Sequence, residues 1–286
     1  MPLKKATPRW SAFADGRSES LSKKGNRRRA GGSSKNLLEA NALLASLGEA
    51  ELAELVAVGE LVRFELRQPV YQPGIPIEAA YFPIDCVLSV VTQMVDGSLI
   101  EVGTIGREGT TAVPLIMGAT ATPTESFCQV EGHAWKIPAE SFLALLASSR
   151  VFHRAMFGYL QAYVNVLGQF AGCNGMHSVL ERCARWLLMT QDRVGRPDFS
   201  MTHEFLAAML GSRRSGVTVA ASTLQGAGYI RYTHGKITVL NRAGLEATAC
   251  ECYGVSRRQF AHLAPVPTDA IAPVRARRVH TLDASL

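Results

Sequence analysis

The spacing of apolar residues changes twice along the chain. Between residues 36 and 59, Leu and Ala recur at steps of three and four, which predicts one or two short amphipathic helices. From residue 61 to about 137, short apolar runs such as CVLSVVTQM and SLIEVGTI alternate with turn signals, most clearly at Asp96-Gly97. Many short strands at this spacing predict an antiparallel roll or barrel.

Helical spacing returns after Pro138, and the longest signal runs from about Val151 to Gly172. A helix of about 22 residues spans about 33 Å. This one carries few charges on any face, so it needs an apolar partner along its length. Burial inside one chain is an alternative, but pairing of two chains is favoured. The predicted dimer-interface residues are Phe152, Met156, Tyr159, Tyr163, Val166 and Phe170.

Residues 200–240 read SMTHEFLAAMLGSRRSGVTVAASTLQGAGYIRYTHGKITVL. Ser200 or Thr202 can cap a helix over 203–209, and Leu210-Gly211-Ser212 can form a tight turn because glycine adopts a left-handed backbone. A second helix over about 213–225 has an apolar inner stripe. Two helices around a glycine turn indicate a helix-turn-helix.

The segment that follows alternates like two strands joined at His234-Gly235, as in the wing of a winged helix-turn-helix. In such a module the second helix enters the major groove, and the first helix and the wing contact phosphates. Arg213 and Arg214 stand where a guanidinium can reach guanine O6 and N7. The candidate DNA-binding residues are Thr202, His203, Ser212, Arg213, Arg214, Ser215, Thr218, Ser222, His234 and Lys236.

The charge distribution changes how the net charge of +6 is interpreted. Residues 1–36 hold ten Lys or Arg against Asp15 and Glu19, so the remainder of the chain sums to −2. The first 36 residues read as a disordered basic arm, and the stretch after residue 250 reads as a C-terminal tail. The case for DNA binding therefore depends on the local motif and not on the overall charge.

The order of elements resembles the Crp/Fnr family of regulators, most specifically in LGSRRSGVTVAASTLQGAGYIRYTHGKITVL and in HSVLERCARWLLM. The resemblance implies an α+β chain with an N-terminal antiparallel β-roll of the cyclic-nucleotide-binding type, a long dimerisation helix and a C-terminal winged helix-turn-helix. It implies double-stranded DNA, a second copy of the chain and RNA polymerase as partners. The expected segments are a basic arm (1–36), a sensor roll (37–150), a dimerisation helix and hinge (151–175), a DNA-binding domain (176–250) and a tail (251–286).

Three departures from the family pattern bear on the mechanism. Relatives that bind cyclic AMP hold its phosphate with an arginine, whereas here no Arg or Lys lies between Glu108 and Trp135, which argues against cyclic AMP. The first cysteine is Cys86, so the N-terminal cysteine group of the iron–sulfur members is missing. Ser215 and Gly216 follow the paired arginines where relatives have an acidic residue, so the family's binding site does not transfer. The sequence identifies no effector or cofactor.

Other functional classes were weighed against DNA binding. The sequence contains neither a Walker loop nor a nucleophile elbow, and the spacing of its glycines near residue 106 does not match a dinucleotide fingerprint, so we expect no enzyme. No metal site is assigned, but a thiol- or metal-responsive regulator using Cys173, His177 and Cys183 stays open, as does a roll that binds a protein partner without specific DNA binding. With no run of about 18 apolar residues, we expect a cytoplasmic protein that does not enter a membrane.

Overall fold

The computed structural model describes residues 36–261. The predicted basic arm, apart from its last residue, and the predicted tail from residue 262 onward lie outside these residues. No helix within 36–261 combines the length and apolar character that a membrane span requires.

The N-terminal half is a β-roll of seven strands flanked by helices. Its elements are α1 (Ala42–Ala45), α2 (Glu49–Val58), β1 (Glu60–Phe64), β2 (Pro69–Tyr71), β3 (Ala79–Pro83), β4 (Val87–Gln93), β5 (Leu99–Ile105), α3 (Val113–Ile116), β6 (Glu125–Val130), β7 (Gly132–Pro138) and α4 (Ala139–Ser148). The apolar runs that predict strands all form strands, namely LVRFEL, AAYFPI, CVLSVVTQM, SLIEVGTI, SFCQVEG and HAWKI. The short elements β2 and α3 were not predicted from the sequence.

The strands form two antiparallel sheets, with orders β1-β7-β3 and β2-β6-β4-β5. Strand β4 is buried over Val87–Val91, on both of its faces. Alternation fails in this strand because the roll core covers one face and the C-terminal half of the chain covers the other. The predicted turn at Asp96-Gly97 is present: Gly97 has φ of +82° and the Met94 amide donates to the Ser98 carbonyl.

The long helix α5 spans Arg150–Met176, four residues beyond its predicted end. Ser149 caps its first turn by accepting from the Phe152 amide. Its apolar stripe is directed inward: Phe152, Met156, Tyr159 and Tyr163 belong to the core of the roll.

This packing corrects the prediction for the dimer interface. Five of its six residues, namely Phe152, Met156, Tyr159, Tyr163 and Val166, are buried within the chain, and Phe170 is half-buried beneath Arg185. They are not available to a second copy in this conformation. The stripe found from the sequence is real, but its partner is the chain's own roll, the alternative that the spacing left open.

The C-terminal half begins at α6 (Val179–Val194), which follows α5 after a two-residue break. Ser178 and Glu181 form a reciprocal capping box there, so the break is a stable helix start. The remaining elements are β8 (Asp198–Ser200), α7 (His203–Met209), α8 (Arg214–Gly226), β9 (Ile230–Thr233), β10 (Lys236–Val239), α9 (Arg242–Thr248) and α10 (Cys252–Ala261).

Residues 251–261, which the sequence analysis assigned to the C-terminal tail, are packed against the rest of the chain. They contain α10, which packs along α5. The ring of Phe260 stacks on that of Tyr159 with 6.2 Å between centroids, and the side-chain amide of Asn165 donates to Oε1 of Gln259 at 2.9 Å. The chain thus returns from the C-terminal half to the long helix, a contact that local sequence patterns do not indicate.

Candidate nucleic-acid interface

Helices α7 and α8 are joined by a short turn over residues 210–213. Thr202, not Ser200, caps α7, since its hydroxyl accepts from the Phe205 amide at 3.1 Å. Gly211 has φ of +56°, a left-handed conformation that strains other residues. The predicted helix-turn-helix is therefore present, with α7 at its predicted bounds and α8 shifted by one residue.

Helix α8 divides into a buried stripe and an exposed face. Val217, Ala220, Ala221 and Leu224 pack into the core of the C-terminal half. The opposite face exposes polar and charged side chains, namely Arg213, Arg214, Ser215, Thr218 and Ser222. Five of the ten predicted DNA-binding residues thus share one open surface at the N-terminal end of α8.

The N-terminal end of α8 carries the two arginines side by side. Arg213 is the extended residue before the helix and Arg214 is its first residue. Both are exposed and neither forms an ion pair among the described residues. Two unpaired guanidiniums beside a helix N-terminus form an anion-binding surface, because the end of the helix carries partial positive charge.

His203 has a packing role in this structure. Its ring stacks on Tyr232 of the wing at 4.3 Å between centroids, and its Nδ1 lies 3.3 Å from the Thr218 hydroxyl. Burial, with a smaller contribution from nearby Arg214, lowers the pKa of His203, so the neutral ring is favoured. A neutral, half-buried imidazole is a poor phosphate contact, but it joins α7, α8 and the wing.

Ser212 is also engaged within the protein. Its hydroxyl accepts from Arg182 Nη2 at 3.1 Å, and Arg182 Nη1 donates to the Leu210 carbonyl at 2.9 Å. The buried Arg182 of α6 thereby fixes the turn of the helix-turn-helix. Ser212 orients the motif and is less available to DNA than the α8 residues.

The wing is a three-stranded sheet in the order β8-β10-β9. Its turn has positive φ at both His234 (+49°) and Gly235 (+74°), as a type I′ hairpin requires. His234 is exposed at the tip. Lys236 forms an ion pair with Asp198 at 2.5 Å, and its side chain is still 57% exposed, so its ammonium can also reach a phosphate.

Two exposed residues on this surface were missed by the sequence analysis. Val219 lies on the outer face of α8 and is 67% exposed, and Arg231 is exposed on the wing strand β9. The sequence does contain a signal for Val219, because helical periodicity places this apolar residue on the solvent-exposed side of α8. Such a side chain can contact a thymine methyl group.

The C-terminal half docks on the roll beneath this surface. Phe127 of β6 meets Phe205 of α7 edge-to-face at 5.9 Å, and Trp186 Nε1 donates to Glu101 at 2.9 Å. Burial raises the pKa of Glu101 to about 7, against the lowering effect of its hydrogen bonds from Trp186 and Ser89. The interface therefore contains a carboxyl group that titrates near neutral pH.

The loop that contains Gly106 and Glu108 makes a second contact between the roll and α6. Arg193 is inserted against Gly106 and forms a buried ion pair with Glu108 at 2.8 Å. Gly109 lies against the Tyr159 ring. The loop carries Arg107, but no Arg or Lys follows it between Glu108 and Trp135, and the fold brings Arg193 to the loop from the C-terminal half.

Cys173, His177 and Cys183, which the sequence analysis considered as a thiol or metal site, do not all come together in the structure. Cys183 lies in the core of the C-terminal half, and burial raises its pKa to about 12. Cys173 and His177 instead lie beside Cys250 and Cys252. Helical spacing cannot reveal this group, because Cys250 and Cys252 lie about 75 residues further along the chain, at the start of α10.

Comparisons with known proteins agree with this geometry. Residues 181–248 match the Crp-like helix-turn-helix domain, a segment that contains α7, α8 and the wing. No curated relative matches the sequence.

Solved structures show the same fold over most of the chain. They include a putative Crp/Fnr-family transcriptional regulator from Eubacterium rectale (18% identity, TM-score 0.57, covering 73% of this chain and 98% of that one). FixK2 from Bradyrhizobium japonicum is 14% identical (TM-score 0.58, covering 68% and 98%), and the c-di-GMP-responsive regulator CLP from Xanthomonas campestris is 16% identical (TM-score 0.55, covering 67% and 99%).

Residues 181–248 thus form a Crp-like helix-turn-helix domain. The described chain as a whole has the fold of the solved Crp/Fnr-family structure that it is similar to, with a β-roll, a long helix and a winged helix-turn-helix.

Proposed function

We propose that the protein binds a two-fold symmetric DNA site as a homodimer, with α8 in the major groove and the wing on the backbone. The observation that carries this proposal is the exposed face of α8, where Arg213, Arg214, Ser215 and Thr218 lie together and unburied. In a winged helix-turn-helix these N-terminal positions of the second helix meet base edges. Such a regulator acts on chromosomal DNA in the cytoplasm, with RNA polymerase as its further partner.

The dimer contact is assigned to the outer face of α5. On this face Phe157 is 42% and Val164 is 50% exposed, and added side-chain atoms at Gly168 and Gly172 would meet open space. The two apolar residues are seven apart, the spacing of a helix-pair seam. A pair along this face replaces the pairing predicted through the inner stripe, and it leaves the packing of α5 on the roll intact.

Two separate single substitutions test the dimer. Val164→Asp places a carboxylate in the proposed seam, and the control Val58→Asp places one on α2, at a valine of comparable exposure. We expect Val164→Asp alone to convert the dimer to a monomer in sedimentation equilibrium. If both variants stay dimeric, the proposed seam is wrong.

The DNA contacts are tested by alanine substitution on the α8 surface. Arg214→Ala should weaken binding to a preferred duplex by about 1–3 kcal/mol and relax base preference at one position of each half-site. Arg63→Ala, an exposed arginine of the roll, serves as the control. An equal loss on all sequences would make Arg214 a phosphate contact, and no loss would remove α8 from the interface.

The role of the β-roll is assigned as a sensor whose signal shifts the arrangement of the two halves. The contacts of Glu101 with Trp186 and of Glu108 with Arg193 support this role, because both join the roll to the first helix of the C-terminal half. A ligand that favours one docking of α6 on the roll changes the populations of DNA-binding arrangements.

A further inference from the structure

Four potential metal ligands converge where the long helix ends. Cys173 lies in the last turn of α5 and His177 directly follows that helix. Cys250 precedes α10 by two residues, and Cys252 is the first residue of α10. Their ligand atoms all lie within 4.8 Å of one another. The three cysteines are free and almost fully buried, and the His177 side chain is 18% exposed.

The distances within this group fit a tetrahedral ion. The Cys173 and Cys250 sulfurs are 3.5 Å apart, and Cys252 Sγ is 3.6 Å from His177 Nδ1. Zinc bonds of about 2.3 Å to sulfur and about 2.0 Å to nitrogen place neighbouring ligands of a tetrahedron about 3.5–3.8 Å apart. The edge between Cys252 and His177 has the length that zinc coordination imposes, and the edge between Cys173 and Cys250 is about 0.3 Å shorter than that length.

The second nitrogen of His177 is held as in many metal sites. Its Nε2 lies 3.2 Å from Glu251 Oε2, which leaves Nδ1 directed at the cysteines. A carboxylate on the outer nitrogen fixes the tautomer and increases the basicity of the ligating nitrogen. Gln169 adds a donor to the group, with its Nε2 3.0 Å from Cys252 Sγ.

A buried cation lies beside the group. Arg185 is 4% exposed, its guanidinium covers the Phe170 ring at 4.1 Å, and its Nε has no hydrogen-bond partner in the described chain. Three thiolates around a divalent ion leave one net negative charge. Arg185 provides the compensating positive charge, which a cluster of neutral thiols does not require.

We propose that Cys173, His177, Cys250 and Cys252 form a closed zinc site that joins the end of α5 to the start of α10. Three cysteines and one histidine are a ligand set of structural zinc sites, and Glu251 positions the histidine. The ligands come from both sides of the break between α5 and α6. A bound ion therefore fixes the C-terminal half against the long helix.

The test begins with metal content, which does not depend on DNA binding. The full chain, purified under reducing conditions without chelators, should contain one zinc per chain, and cobalt substitution should give the visible bands of a tetrahedral thiolate complex. Cys250→Ser and Cys252→Ser should lose the metal. Cys183→Ala, which removes a buried cysteine outside the group, should keep it, and circular dichroism verifies that each variant is folded.

Glu251→Gln tests the positioning role separately from ligation. We expect it to keep the tetrahedral cobalt spectrum and to bind zinc about 10–100-fold more weakly in a chelator competition. Wild-type protein that takes up no zinc would overturn the proposal. A Cys173–Cys250 disulfide in freshly isolated protein, iron with acid-labile sulfide, or full zinc retention in Cys250→Ser would overturn it equally.

The consequence for regulation rests on the proposed function and is measured afterwards. Removing zinc with a chelator should weaken DNA binding of the wild type and leave that of Cys250→Ser unchanged. If zinc is bound but its removal does not change DNA binding, the site is structural only. If neither form binds DNA, the proposed function fails while the metal site stands.

Discussion

Glu108 and Arg193 form a buried ion pair that joins the β-roll to the C-terminal half, with Oε1 of the carboxylate 2.8 Å from both Nε and Nη2 of the guanidinium. The two side chains are 14% and 6% exposed. Since an ion pair this far from water costs desolvation energy on both sides, it is most damaging when only one partner is removed.

Glu108→Ala should lower the free energy of unfolding by about 3–5 kcal/mol, because it leaves Arg193 charged and unpaired in the interface. Urea unfolding measures this change. Glu60→Ala breaks the exposed pair with Lys136 and should cost less than about 1 kcal/mol. Equal effects of the two substitutions would contradict the burial of the Glu108–Arg193 pair.

The burial of Glu101 between the roll and α6 should make stability depend on pH. Because the folded pKa of Glu101 is raised from 4.5 to about 7, the folded state binds more protons than the unfolded state between these values. Stability contributed by this group is therefore present at low pH and is lost as pH rises toward 7. Glu101→Gln should flatten this part of the profile.

Urea unfolding at several pH values, followed by the fluorescence of Trp186, measures the effect of Glu101. Subtracting the profile of Glu101→Gln from that of the wild type removes the contributions of other titrating groups. Trp186→Phe identifies the signal of Trp186 among the three tryptophans. Parallel profiles for wild type and Glu101→Gln would show that Glu101 is not shielded from water.

Gly216 gives a prediction about the recognition helix. A Cβ at this position would meet only Val179 at 3.9 Å, an ordinary contact, so Gly216→Ala should stabilise the protein by about 0.5–1 kcal/mol. Gly244→Ala serves as the contrast, because its Cβ would lie 2.3 Å from the Tyr229 ring. Thermal unfolding should shift upward for the first variant and downward for the second.

The packing role of His203 gives a prediction that separates structure from phosphate contact. His203→Ala should lower the free energy of unfolding by about 0.5–1.5 kcal/mol, the range for a stacked aromatic pair, because the substitution removes the stacking contact with Tyr232. The salt dependence of DNA binding should be unchanged. A salt slope reduced by about one, with stability preserved, would instead make His203 a phosphate contact.

Local patterns predicted the parts of the fold that depend on local interactions. Short apolar runs between turn signals located the strands of the roll. The glycine turn at Gly211 and the wing turn at His234-Gly235 were found because their backbone conformations restrict residue type. The exposed face of α8 followed from helical periodicity. These features need no knowledge of distant residues.

Features that depend on distant contacts were not predictable in this way. Periodicity identified the inner stripe of α5, but it could not show that the stripe packs on the roll and not on a second chain. The docking of α10, the insertion of Arg193 beside Glu108 and the meeting of Cys173 with Cys250 join segments far apart in sequence.

Selection of bound sequences from a random duplex library, with the full chain at physiological ionic strength, measures whether the protein is a sequence-specific dimeric DNA-binding protein. We expect enrichment of an inverted repeat whose half-sites lie about 34 Å apart, one turn of DNA, and loss of base preference within each half-site for Arg214→Ala. Sequence-specific DNA binding would be contradicted if folded, dimeric protein enriched no sequence in either its zinc-loaded or its zinc-free form.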